Sequence, residues 1–419
     1  MAGAYSYKSF FRNLYRNLGQ AYAFQAQTPE EAGQWRREFR QALREALGLD
    51  LLEEIAAGWN QTGNEHIATG WGQAEKEGQA ENKGQAENEG QTEKEGRGES
   101  GNRAEDSCPW PVEQLERVEE EGYIRYKFLM ETLPRVFMPF YMLVPEAASA
   151  QKPTRAVIAI PAHGANKDTV AGVPTGSAVR EKLSRTPKEA YGLALVKRGY
   201  VALCPDPPGY GERIEPLPTE ATAFAPPNPE NAKEEAASVP DPLGCSCKDL
   251  AQTAEALSLS LTALEIWDLM RLVDFAAGRK EIDEKRIGCI GFSGGGQYAM
   301  WLAAMDQRIQ AAVVSGYVHG YYDSILDVHL CPCNYAPRLW RLGDISDICS
   351  LIAPRPLFVE NGLNDPLNGY RGIMGPKEQV DRIRKAYRLY GQEGKLLHAT
   401  PEGGHQWYGE CYEFLDRML

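Results

Sequence analysis

Lys285 to Met305 reads KRIGCIGFSGGGQYAMWLAAM, with four glycines around Ser293 between an apolar run and a helix-like segment. A glycine-rich turn in that setting either cradles a phosphate or presents a nucleophile, and the two need different neighbours. A P-loop requires Lys and then Ser or Thr after its last glycine, but Gln297 and Tyr298 follow Gly296. A dinucleotide loop requires Gly-x-Gly-x-x-Gly, which Gly291-Phe292-Ser293-Gly294-Gly295-Gly296 does not supply. Gly291 to Gly295 does satisfy Gly-x-Ser-x-Gly between an expected strand and an expected helix. In such a turn the serine is lifted above the carboxyl edge of a sheet. A side chain on either flanking glycine would strike the neighbouring strand or helix. The next backbone N–H, of Gly294, then faces any oxyanion that forms.

A serine hydroxyl needs a base to take its proton, and the base needs a carboxylate to orient it. The chain has six histidines. His66 lies at the edge of a repetitive segment, His319 and His329 precede any suitable acid, and His398 falls inside an expected strand. His405, in PEGGHQW just after that strand, can reach the carboxyl edge. The acid should leave the preceding strand, PLFVENGLNDPL, where Asp365 in the loop is preferred and Glu360 at the strand end is the fallback. A second oxyanion donor is expected from the loop of RAVIAIPAHGANK, as the N–H of Ala165 or Gly164, with His163 shaping that loop.

Outward from the serine, strand and helix signals alternate. RAVIAIPAHG, YVALCPD and RIGCIGF are continuous apolar runs, as expected of strands buried on both faces. AAVVSGYV, PLFVENG and KLLHATPEGG continue the series, while GYIRYKFLM and RVFMPFYMLVP read as an antiparallel pair. TPKEAYGLALVKRG predicts a helix with a Thr186–Glu189 capping box, and LTALEIWDLMRLVDFAAG another helix. The pattern predicts an α/β fold with a mostly parallel central sheet covered by helices on both faces.

Three regions are expected. Residues 1–60 form a helical extension, in which TPEEAGQWRREFRQALREALG has Thr28 as N-cap, Glu31 closing a capping box and an apolar stripe of Trp35, Phe39, Leu43 and Leu47. Residues 61–107 contain a six-residue repeat, GQAEKE to GQTEKE from Gly72 to Glu95, without a branched apolar or aromatic side chain, and read as a disordered linker. Residues 108–419 form the catalytic domain. Inside it, 211–250 carries seven prolines and reads as a long loop that could act as a lid.

A chain of 419 residues with 43% hydrophobic and 25% charged residues is ordinary for a globular protein. Its 45 basic and 58 acidic residues give a net charge of −13, which argues against nucleic acid or an anionic membrane as a partner. Lys8, Arg12 and Arg16 interrupt the N-terminus, so it does not read as an export signal, and a cytoplasmic location is expected. The cysteines number nine, and Cys245/Cys247 and Cys331/Cys333 form two Cys-x-Cys pairs. Zinc sites more often use longer spacings, so these read as reduced thiols, with no metal and no organic cofactor expected. Self-association is left open.

Taken together, IPAHGANK, CPDPPGYGER, RIGCIGFSGGGQYA, ENGLNDPL and EGGHQW resemble the dienelactone-hydrolase and acetyl-xylan-esterase branch of the α/β-hydrolases, from about Cys108 to Leu419. The resemblance implies that fold and a carboxylic-ester hydrolase with Ser293, Asp365 and His405 as its triad. It also implies a small short-acyl ester, such as an acetylated sugar, as substrate, with Asp206 and Arg213 shaping the edge of the site. True dienelactone hydrolases carry cysteine where this chain has Ser293, which points away from dienelactone. The same triad could serve a peptidase or an acyltransferase, and the fold could house a silent binding protein.

Overall fold

The computed structural model describes residues 7–62, 108–215 and 243–419. The repeat from Gly72 to Glu95, and most of the proline-rich stretch, lie outside the described residues. The helices are α1 (Tyr7–Asn17), α2 (Pro29–Leu47), α3 (Leu49–Thr62), α4 (Lys167–Ala171), α5 (Gly176–Arg185), α6 (Tyr191–Lys197), α7 (Cys247–Ala256) and α8 (Leu261–Ala277). They continue with α9 (Gly294–Met305), α10 (Leu339–Leu342), α11 (Ile345–Ser350), α12 (Met374–Leu389) and α13 (Tyr412–Met418). The strands are β1 (Val112–Glu120), β2 (Tyr123–Leu133), β3 (Val136–Pro145), β4 (Thr154–Ile160), β5 (Val201–Pro205), β6 (Ile282–Phe292), β7 (Ile309–Ser315), β8 (Leu357–Glu360) and β9 (Leu396–Ala399).

All nine strands join one sheet in the order β1-β2-β3-β5-β4-β6-β7-β8-β9. The first three and the β3/β5 pair are antiparallel, and from β5 to β9 every pairing is parallel. Parallel strands share one carboxyl edge, so the segments leaving β4, β6, β8 and β9 emerge on the same side of the molecule. This is where open α/β sheets hold ligands.

Apolar periodicity accounts for the layers. On one face α2, α8, α9 and α12 bury Phe39, Leu43, Leu47, Trp267, Trp301 and Ile383 in a single cluster with the sheet. On the other, α6 and α13 bury Tyr191, Leu195, Phe414 and Leu415. α2 and α3 therefore belong to the core of the sheet's first face, whereas α1 buries none of its residues. α2 starts as its sequence predicts: the Thr28 side chain accepts from the Glu31 N–H, and Gly48 closes the helix at φ 89°. The Glu31 carboxylate takes the Gln27 N–H at 2.8 Å, one residue earlier than a capping box requires.

Other local expectations change. Thr186 does not N-cap the expected helix: its N–H and hydroxyl both donate to the Lys182 carbonyl and close α5, and after a short 3-10 turn at Pro187–Glu189 the next α-helix begins only at Tyr191. The final turn of the expected 211–250 loop is already helical, because α7 starts at Cys247. β1 was also missed. Its VEQLERVEE sequence is mostly exposed and charged, as an edge strand with one solvated face can be. Among the described residues no helix is long and apolar enough to cross a membrane.

Candidate active site

Ser293 stands between β6 and α9 with φ 56° and ψ −118°, a strained position for a residue with a side chain. Its N–H donates to the Ser315 carbonyl at 2.9 Å, and its own carbonyl accepts from Gln297 at 3.0 Å, so strand and helix both fix the turn. The glycines are required by contact. A Cβ on Gly291 would stand 2.1 Å from the Gly295 carbonyl oxygen, and one on Gly295 2.2 Å from the Ile160 carbonyl oxygen at the end of β4. No rotamer relieves a clash with backbone. Substituting either glycine must therefore push the helix off the sheet.

The loop after β9 brings His405 to the serine. His405 Nε2 lies 2.8 Å from Ser293 Oγ, and His405 Nδ1 lies 2.7 Å from Asp365 Oδ2. Asp365 is buried and its other oxygen accepts the Leu367 N–H at 2.8 Å, which fixes the carboxylate plane. The Phe292 ring packs against the imidazole at 4.8 Å between centroids. Serine, imidazole and carboxylate thus form one continuous hydrogen-bonded chain across three loops.

The loop after β4 supplies the opposite wall. A Cβ on Gly294 would lie 3.1 Å from the backbone nitrogen of His163, so the first N–H of α9 and the 163–164 turn sit side by side. The Ala165 N–H instead closes its own turn on the Ala162 carbonyl at 3.0 Å. That bond turns it away from the role expected of it and leaves the earlier part of the turn nearer Gly294. Behind this wall Asp206 accepts both the backbone N–H and the ammonium of Lys167, at 2.8 and 2.9 Å. Arg213 bridges the Asp206 carbonyl and Asp268. These bonds tie the segment after β5 to the start of α4 and to α8.

Comparison with known proteins gives the same framework. Residues 102–230 match the Abhydrolase family and residues 186–325 match the dienelactone hydrolase family. The solved structure of a protein assigned as an acetyl xylan esterase, from Bacteroides fragilis, superposes with a TM-score of 0.63. That superposition covers 94% of this chain and 82% of that one at 20% identity. This chain has the α/β-hydrolase fold.

Methylesterase BT1017 shares the α/β-hydrolase fold with a TM-score of 0.57 at 17% identity, over 93% of this chain and 64% of its own. A glucuronoyl esterase from Solibacter usitatus gives 0.51 at 16% identity, over 73% of this chain and 84% of its own. In sequence, the Bacillus subtilis protein YtaP, assigned as a hydrolase, is 34% identical over 134 residues. The match spans 29% of this chain and 39% of YtaP.

Other titratable groups take different places. Glu360 does not touch His405. Its carboxylate accepts from the Ser315 hydroxyl at 2.6 Å and from the N–H groups of Tyr408 and Glu410, and burial raises its pKa. His319 is buried with its Nε2 3.2 Å from Ser324 Oγ, and burial lowers its pKa to about 4. His398 bonds Asn361 and His329 is exposed, while His66 lies outside the described residues.

The two Cys-x-Cys pairs, separate along the chain, converge in space. Cys247 Sγ lies 3.6 Å from both Cys245 Sγ and Cys331 Sγ, and 3.4 Å from His163 Nε2. Reading each pair along the chain hides this, because the contacts span 84 residues.

Proposed function

We propose that this chain is a serine carboxylic-ester hydrolase for short-acyl esters, with acetylated sugars as the leading substrate class. The observation that carries the reading is the unbroken chain Ser293 Oγ–His405–Asp365, at 2.8 and 2.7 Å, on a strained turn at the sheet's carboxyl edge. The resemblance of the motifs to the acetyl-xylan-esterase branch supports the short acyl group.

The chemistry follows from the geometry. Ser293 Oγ attacks the ester carbonyl carbon while His405 Nε2 takes the hydroxyl proton. Asp365 holds the imidazole by Nδ1 and stabilises its positive charge. The carbonyl oxygen becomes an oxyanion beside the Gly294 N–H, with a second donor from the 163–164 turn. Protonated His405 returns the proton to the leaving alcohol, which leaves an acyl-serine. Water, deprotonated by His405, then releases the acid and restores the serine.

The test is hydrolysis of p-nitrophenyl acetate, butyrate and octanoate by the wild type and by Ser293→Ala. Acetate should turn over fastest, and the substitution should reduce kcat by about 10⁶, to background, without altering the circular dichroism spectrum. Activity that survives in Ser293→Ala would remove the assignment. A fluorophosphonate probe that fails to label Ser293 in the wild type would also count against it. A second panel of acetylated, methyl-ester and uronoyl-ester sugars covers the ester types named for the proteins that share the fold.

A further inference from the structure

We propose that His163, Cys247, Cys331 and Cys333 form a zinc site of the structural kind beside the Ser293 turn. One ligand atom from each of these four residues lies within 4.8 Å of all the others. Zinc holds sulfur at about 2.3 Å and imidazole nitrogen at about 2.0–2.1 Å, so the edges of a tetrahedral Cys₃His set run about 3.5–3.8 Å. The Cys247–Cys331 and Cys247–His163 separations, 3.6 and 3.4 Å, already fall at that spacing. Little side-chain movement separates this arrangement from a closed coordination sphere.

The donor set is selective. Three sulfurs and one imidazole nitrogen, with no carboxylate, suit zinc and disfavour the hard cations that prefer oxygen. Ordinary core packing would surround each buried thiol with aliphatic carbon; here the thiols face one another and an imidazole. A single disulfide would leave the third sulfur and the imidazole unexplained. Cys245 stands on the rim, 4.0 Å from His163 Nε2, outside the four-donor group.

Surrounding groups hold the ligands. Asn334 Nδ2 approaches Cys333 Sγ at 3.4 Å, and the same amide donates to the Cys331 carbonyl at 3.1 Å. The Tyr210 ring also meets the His163 ring edge-on at 5.5 Å between centroids. Hydrogen bonds from such neighbours to metal-bound sulfur are a recurrent feature of metal sites. On binding, Zn²⁺ takes the place of three thiol protons, which pass to solvent. Three thiolates, one neutral imidazole and the ion carry a net charge of −1.

The site joins three parts of the chain that no strand pairing connects: the loop after β4, the start of α7 and the Cys331–Cys333 turn. Its His163 ligand belongs to the turn whose backbone lies against Gly294. With all four positions filled by protein, the ion takes no substrate and works as a clamp on one wall of the active site.

The full-length protein, purified from cells grown with zinc, is assayed for metal by mass spectrometry. About one zinc per chain is expected. Cys247→Ser and Cys333→Ser should each retain less than about a tenth of that, and Cys245→Ser should keep it. Cobalt-loaded wild type should show tetrahedral d–d bands with thiolate charge transfer, a signature that stands even if the cysteine variants fail to fold. Wild type that binds no Zn²⁺ or Co²⁺ when reduced would overturn the site. So would metal held equally by the folded Cys247→Ser and Cys333→Ser variants, or a cobalt spectrum without thiolate bands. None of these readouts depends on ester hydrolysis, so the failure of this site and the failure of the serine-hydrolase reading are distinguishable.

Discussion

Two clusters of side chains meet at Gly294. On one side Ser293, His405 and Asp365 are linked in a line by two hydrogen bonds. On the other, His163, Cys247, Cys331 and Cys333 are gathered around a common centre. The linear cluster has direction, because each group can pass a proton or orient the next, and its serine is partly open to solvent. The radial cluster has no direction and two of its four residues are buried. One arrangement suits proton transfer to a substrate and the other suits a bound cation that stays. The backbone between them is shared, so what holds the second should be felt in the first.

The first way to break the comparison is to test whether the linear cluster depends on the particular carboxylate that completes it. Asp365→Asn should lower kcat by about 10⁴, because an amide favours the wrong imidazole tautomer and cannot stabilise the imidazolium. Glu360→Gln should stay within about tenfold of wild type in kcat, since Glu360 holds the Tyr408–Glu410 backbone without touching the imidazole. Its effect should be on stability, a loss of about 1–3 kcal/mol by chemical denaturation, as an amide N–H₂ faces donors that need an acceptor. Equal kinetic losses from the two variants would mean that the acid has been assigned to the wrong residue.

Coupling between the two clusters is the next and smaller effect. If zinc pins the 163–164 turn, removing it with a chelator should lower kcat for p-nitrophenyl acetate by about 10–10². The ceiling is the loss of one oxyanion donor, about 10²–10³. Added Zn²⁺ should restore the rate in the wild type and not in Cys333→Ser. A stripped enzyme with unchanged kcat but a lower thermal midpoint would mean that the clamp serves the fold alone.

The same contrast explains what could be read from the chain. The Ser293 turn is legible because its constraints lie within six residues, and the glycines that accommodate Ile160 and Gly295 appear directly in the motif. Asp365 and His405 follow from strand order, because parallel strands deliver successive loops to one edge. Separating Asp365 from Glu360 needed coordinates. Glu360 ends β8 and Asp365 lies in the loop after it, and only the path of the 400–408 loop decides which one meets the imidazole. The cysteines defeat a linear reading altogether, since their meeting depends on where the loop after β4 and the segment after β7 fold back. Thr186 was misread for a related reason: a helix not foreseen upstream supplied a better partner for its hydroxyl.

His319 sharpens the distinction between histidines that act and histidines that fill space. Chain order set it aside, yet it lies close enough to Asp365 and His405 to feel both charges. Burial lowers its pKa to about 4, with His405 adding to the effect and Asp365 opposing it, while an unfolded histidine titrates near 6.5. A group whose folded pKa is depressed contributes stability that is full above the unfolded pKa and lost as pH falls towards the folded one. Stability should therefore decline from about pH 6.5 downward, by about 1 kcal/mol from this residue between pH 7 and pH 5.5. His319→Gln should flatten that part of the denaturation profile. His398, also lowered to about 4 by burial, is unchanged in that variant and sets the remaining slope. If the slope is the same with and without His319, the imidazole is protonated inside the fold, and a counter-charge from Asp365 would have to be shared between His319 and His405. Sharing of that kind would weaken the carboxylate's hold on His405, and the Asp365→Asn effect on kcat would then fall below its expected size.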